Sequence, residues 1–195
     1  MTNTPTTQQL NMLPSGHVGM ISLIITEVFF FASLIVVYLA YIGKSISGPL
    51  PEEVLGLGLV GVNTVALLLS SATVVVALRA LRKNKQTQFL TWLLITVLLG
   101  TWFLVGTGIE WYGLIVDKNL ALQTNLFGST FYTLVGFHAF HVTFGVSVLF
   151  FIWLCSVLGW VQNKHHQNIE YVSWYWHFVD TVWIAVFLVV YVIGK

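Results

Sequence analysis

Two spacings in this chain have the form of chemistry. His138 and His141 stand three apart in FYTLVGFHAFHVTFG, and His177 and Asp180 stand three apart in SWYWHFVDTVW. On a helix that spacing puts each pair on one face. Two more ionisable groups, Glu27 in ITEVFFFAS and Glu110 in GTGIEWYG, also lie in apolar runs. Three chemistries compete for these residues. Imidazole is a common metal ligand, so His138, His141 and His177 could hold a metal or a haem. Yet the Glu-x-x-His pairs of a carboxylate di-iron bundle are absent, and a helical HxxH is a weak pattern by itself. Glu27, His177 and Asp180 could instead form a proton or ion path, as intramembrane carboxylates do. The third possibility is a set of buried polar contacts that pin helices together.

The surroundings of these residues decide which elements must position them. Apolar types make up 57% of the 195 residues and charged types 8%, and mean hydropathy is +0.86. A soluble domain carries about 25% charge, so the solvent for most of this surface is lipid. A net charge of +1 excludes a broad nucleic-acid footprint. The lone Cys155 allows no internal disulfide and no thiolate cage, and reads as a small apolar residue.

A span needs about 20 apolar residues. Five segments qualify, roughly 17–43, 54–82, 88–116, 128–160 and 171–194, separated by short polar or Pro/Gly-containing breaks. The reading is an all-α membrane protein, one bundle of five transmembrane helices with antiparallel neighbours. Five helices without internal repeats would make an unusual transporter. Residues 1–16 read as a short flexible polar tail. Arg79, Arg82, Lys83 and Lys85 crowd the second break, and Lys164 lies in the fourth. The positive-inside rule puts both breaks in the cytoplasm, with the N-terminus cytoplasmic and the C-terminus periplasmic. The same four basic residues are suited to anionic lipid headgroups.

The plainer readings are these. His17 is interfacial, and His165 and His166 are solvated loop residues. Trp92, Trp160 and the Trp174–Trp176 run read as one interfacial belt; Tyr38, Tyr41, Trp111, Tyr112 and Tyr191 read as the other. Glu110 is close enough to a helix end to be hydrated. Glu27 lies just before three phenylalanines with no basic residue near it, so its carboxyl is expected to stay protonated unless another helix supplies a counter-charge. The second span, rich in Gly, Ser, Ala and Thr, is expected to pack on protein along more than one side.

EYVSWYWHFVDTVWIAVFLVVY (170–191) resembles the C-terminal helix of subunit III of the haem–copper respiratory oxidases. FYTLVGFHAFHVTFG (131–145) is similar to that family's penultimate helix, and TEVFFFAS (26–33) to the helix carrying its intramembrane glutamate, here Glu27. NTVALLLSSATVVVALRAL (63–81) and GTGIEWY (106–112) match the intervening helices in order. The resemblance implies an accessory subunit in a bacterial inner membrane, in the five-helix form that lacks the first two helices of the longer one. It implies no catalytic centre and no metal in this chain, with haems and copper in partner subunits. It also implies packing on subunit I, company of subunit II and smaller subunits, bound phospholipid, and support of proton uptake. A larger supercomplex with the electron-donor complex is compatible with it. On this reading Glu27 modulates proton uptake or meets lipid, while Glu110, His138, His141, His177 and Asp180 form a buried polar cluster. Two alternatives stand beside it: the related accessory protein of nitric oxide reductase systems, and a free-standing metal-binding membrane enzyme.

Overall fold

The computed structural model describes residues 15–45, 48–161 and 163–194. The chain forms α1 (Ser15–Tyr41), a one-turn α2 (Pro51–Val54), α3 (Leu57–Arg82), α4 (Gln86–Val116) and α5 (Leu126–Val157). A 3-10 turn (Asn163–His165) leads into α6 (His166–Phe187), which runs on as a π-helical segment to Ile193. Five of these helices are long and apolar enough to cross a membrane. Of the segment read as a tail, all but Ser15 and Gly16 lies outside the described residues, and those two already belong to α1.

The helix ends follow from local chemistry. Past α3, Asn84 adopts φ 56°, the left-handed conformation that Asn tolerates at a helix C-terminus, and Lys85 N–H closes onto Ala80 O. The Asn125 side chain caps α5 by accepting from Gly128 N–H at 2.8 Å, satisfying one of the free donors of the first turn. Its amide also donates to Pro49 O, tying the α1–α3 loop to α5. The fourth break is shorter than expected, because α6 begins at His166. Its first turns are amphipathic: Ile169 and Ser173 are buried, while Glu170 pairs with Arg82 at 2.7 Å.

Packing does not follow chain order. α3 pairs with α4 along its length and also packs on α6, while α1 packs on α5 and α6 rather than on α3. α6 is therefore central and α1 peripheral. The two-sided packing of α3 agrees with its small-residue composition. The interfacial belts need correction. Trp160 and Tyr112 are exposed, but Trp176, Tyr38 and Tyr191 are buried in the core. An aromatic ring fills a helix–helix interface as well as it lines a headgroup layer, and its residue type does not distinguish the two.

Candidate functional site

The polar residues of the spans fall into separate contacts between helices. Along the α3–α6 seam, Trp183 Nε1–H donates to Thr64 Oγ1 at 3.0 Å and Trp176 Nε1–H to Ser70 Oγ at 3.0 Å. Ser71 Oγ meets His177 Nδ1 at 2.7 Å. Trp176 and His177 meet Ser70 and Ser71, and Trp183, a further two turns along α6, meets Thr64, nearly two turns back on α3, which is the pattern of two antiparallel helices. Trp176 and Trp183, seven apart, share a face. Trp176 also reaches α4 and α5. A Cβ on Gly100 would come within 2.9 Å of its ring, and one on Gly145 within 2.8 Å. The indole thus occupies space that two glycines leave open.

Asp180 lies one turn beyond His177, buried and close to Ser71. The Ser71 hydroxyl is held by His177, and neither Asp180 oxygen has a hydrogen-bond partner among the described residues. His138 is fully buried, stacked on Trp183 with ring centroids 4.9 Å apart and edge-on to Phe103. Both of its ring nitrogens likewise lack a partner among the described residues. α3 and α4 are joined by Thr73 and Thr96, 2.8 Å apart, and by Asn63 lying directly against Gly106.

His141 leaves this interior. Its Nδ1 lies 2.7 Å from Phe137 O, and a carbonyl only accepts, so Nδ1 carries a proton. Its Nε2 faces Glu27 Oε2 across 3.1 Å. That contact is a hydrogen bond between imidazole and carboxyl, and it joins α5 to α1. α5 thus supplies Glu27 with a partner from another helix. Phe31, Phe140 and Phe30 surround the imidazole, and Tyr175 O–H donates to His141 O. Glu110, at the far end of α4, accepts from Tyr191 O–H at 3.0 and 3.1 Å.

The five residues grouped from sequence thus go to different partners. His177 and Asp180 lie at Ser71, His138 at Trp183, His141 at Glu27 and Glu110 at Tyr191. His138 and His141 diverge because two positions three apart are only near neighbours in angle, and helices α6 and α1 lie on either side. Among the described residues no three His, Cys, Asp or Glu side chains converge on a point that could hold a metal ion. The sequence reading missed Thr64, Ser70, Ser71, Trp176, Trp183 and Tyr191 as partners. The seven-residue spacing of the two tryptophans was the available signal for one shared face.

Five long apolar helices joined by polar contacts between them define a multi-pass membrane protein. The comparisons identify which. A sequence model of the family described as cytochrome c oxidase subunit III matches residues 10–195. A protein of Alkalihalophilus pseudofirmus, named cytochrome c oxidase subunit 3, is 34% identical over 86% of this chain and 82% of its own length. A Bacillus protein of the same name is 36% identical over 86% of this chain and 81% of its own. A Synechocystis protein, again so named, is 36% identical over 90% and 74%. The chain belongs to the cytochrome c oxidase subunit III family.

Proposed function

We propose that the chain is an accessory, non-catalytic subunit of a proton-translocating terminal oxidase in a bacterial inner membrane. It packs on the catalytic subunit I, which with its partners carries the haems and copper, and it binds phospholipid and sustains proton uptake and the stability of the complex. The observation that carries this reading is the family match, which runs through all five spans. The basic residues Arg79, Arg82, Lys83 and Lys85 support a cytoplasmic α3–α4 loop, and with it a cytoplasmic N-terminus and a periplasmic C-terminus.

Within that role the residues divide. His177 through Ser71, Glu110 through Tyr191 and His138 through its stack on Trp183 fix the register of α3 to α6, with Asp180 buried beside Ser71; apolar packing in lipid specifies register poorly. The Glu27–His141 pair bridges the α1–α5 contact and is partly exposed. That suits a group that tunes proton uptake or meets lipid, rather than a conducting path.

The test is purification of the chain from native membranes in mild detergent, with mass spectrometry and a reduced-minus-oxidised haem spectrum. Co-purification of a large haem–copper subunit is the expected result, with no metal in the isolated chain. A chain that emerges alone with stoichiometric metal overturns the reading.

A further inference from the structure

Trp176, Trp183 and Tyr191 stand in line along α6 and its π-helical continuation, each at most 1% exposed. The two tryptophans are about 10 Å apart along the helix. Tyr191 lies eight residues past Trp183. The π-helical segment that holds it, Leu188–Ile193, takes more residues per turn than an α-helix and brings its ring back toward the Trp183 face. The Trp183 and Tyr191 ring centroids are 6.4 Å apart.

Space-filling accounts for three large rings, whatever their polar tips meet. The tips, however, are sorted by the chemistry of their partners. Trp176 Nε1–H donates to Ser70 Oγ and Trp183 Nε1–H to Thr64 Oγ1. Those hydroxyls give their own protons to Leu67 O and Val60 O. A hydroxyl so placed accepts a hydrogen bond but is too weak a base to take the indole proton. Tyr191 O–H instead lies 3.0 and 3.1 Å from the two oxygens of Glu110. That is within reach for proton transfer to a carboxylate base. Loss of an electron acidifies an indole and a phenol alike. Where the proton can go therefore decides where an oxidising equivalent rests, and only Tyr191 of the three has a base at its tip.

We propose that Trp183, Tyr191 and Glu110 form a proton-coupled redox site, in which an oxidising equivalent that reaches the bundle comes to rest on Tyr191. A one-electron oxidant of the oxygen-radical class takes an electron from Trp183 and leaves the indole radical cation. Tyr191 then gives one electron to Trp183, which restores the indole, and its phenolic proton to Glu110. A neutral phenoxyl radical and a protonated Glu110 remain. The transfer replaces a buried cation and a carboxylate by two neutral groups, which an apolar interior favours. One electron from a reductant of the quinol class, with return of the proton from Glu110, restores the phenol. This redox role goes beyond the accessory role proposed above.

The test uses the full chain in mild detergent, its indoles photo-ionised by an ultraviolet laser flash so that no oxidant has to reach the interior. Time-resolved absorption follows the tryptophanyl and tyrosyl radicals. Electron paramagnetic resonance of frozen samples, with and without ring-deuterated tyrosine, identifies the tyrosyl species. In the wild-type chain a tyrosyl signal should grow as a tryptophanyl signal decays. Tyr191→Phe keeps the ring and should lose most of the tyrosyl signal. Trp183→Phe should lose the growth phase. Glu110→Gln keeps the shape and an acceptor but cannot take the proton, and should leave the radical on tryptophan. Circular dichroism checks the fold of each variant. Wild-type chain prepared in deuterated water asks about the proton without any substitution, and its tyrosyl growth should slow. A tyrosyl signal undiminished in Tyr191→Phe, or growth that deuterated water does not slow, overturns the inference. So does a wild-type chain whose indole radicals decay without a tyrosyl product. Light supplies the oxidant, so the outcome is independent of the oxidase reading, which fails separately if the chain purifies from native membranes without a haem–copper partner.

Discussion

Helices α1 and α6 reverse the order that water would impose. α1 is the most apolar of the five spans and the least buried: 6% of its most apolar 18 residues are inside, against 56% for α6, the least apolar span. In a soluble protein apolar residues go inward. Here the surrounding lipid is as apolar as leucine, and no hydrophobic force draws helices together. What brings a helix inside is shape and hydrogen bonding. α6 carries Trp176 and Trp183, whose rings fill space between helices and whose N–H groups reach α3. α1 carries its own satisfied hydroxyls, Thr26 and Ser33 bonded to carbonyls one turn back. Its side-chain hydrogen bonds to the long helices are Glu27 to His141 and His17 to Tyr171.

The sharpest way to break this contrast is to empty the centre. Trp176→Ala removes the side chain that α3, α4, α5 and α6 share, and should destabilise the protein by about 3–5 kcal/mol. Equilibrium unfolding in detergent measures it. A loss below about 1 kcal/mol would mean that the bundle collapses around the vacancy and that α6 is not the keystone proposed here.

A second comparison uses the same substitution in both regions. Gly145→Ala sets a methyl 2.8 Å from the Trp176 ring, and overpacking of that kind costs about 1–3 kcal/mol. Gly19→Ala, on α1, meets nothing within 4 Å. It should be neutral or stabilising by about 0.5–1 kcal/mol, because Ala is the better helix former. Equal effects at the two positions would erase the distinction between a packed and a lipid-facing helix.

Glu27→Leu removes the contact with His141 and acts on the periphery alone. A polar contact between helices in lipid is worth about 0.6–2 kcal/mol. Its loss should therefore raise hydrogen exchange across α1 while leaving α6 unchanged. Exchange that rises in both helices together would show that α1 is part of the same cooperative unit.

These contrasts explain what the sequence could and could not say. Length and hydropathy located the five spans to within a few residues, because spanning is a matter of length. The exception was the start of α6, where an amphipathic turn around Ile169 and Glu170 lowers hydropathy without ending the helix. The motifs around Glu27, His138 and His177 identified the family, because those strings are specific. What stayed illegible was direction. Hydropathy is the same for a face on lipid and a face on protein, so Tyr38, Tyr191 and Trp176 read as belt residues and are core. For the same reason the polar residues read as one cluster, whereas the rotation of each helix sends them to separate partners.

The smallest effect is the most diagnostic of what holds the seam. Ser71→Ala removes the hydroxyl 2.7 Å from His177 Nδ1 and changes almost no volume. His177 is half-buried, so its ring can recover a partner, and the loss should fall near 0.6 kcal/mol, the low end for such contacts. The hydrogen bond of α1 and this one of α6 would then be worth similar amounts, and the difference between the helices must come from packing. If Ser71→Ala instead costs as much as Trp176→Ala in the same unfolding assay, the seam is held by its hydrogen bonds. Asp180, buried beside Ser71 without a partner among the described residues, would then be the group whose environment that hydroxyl controls.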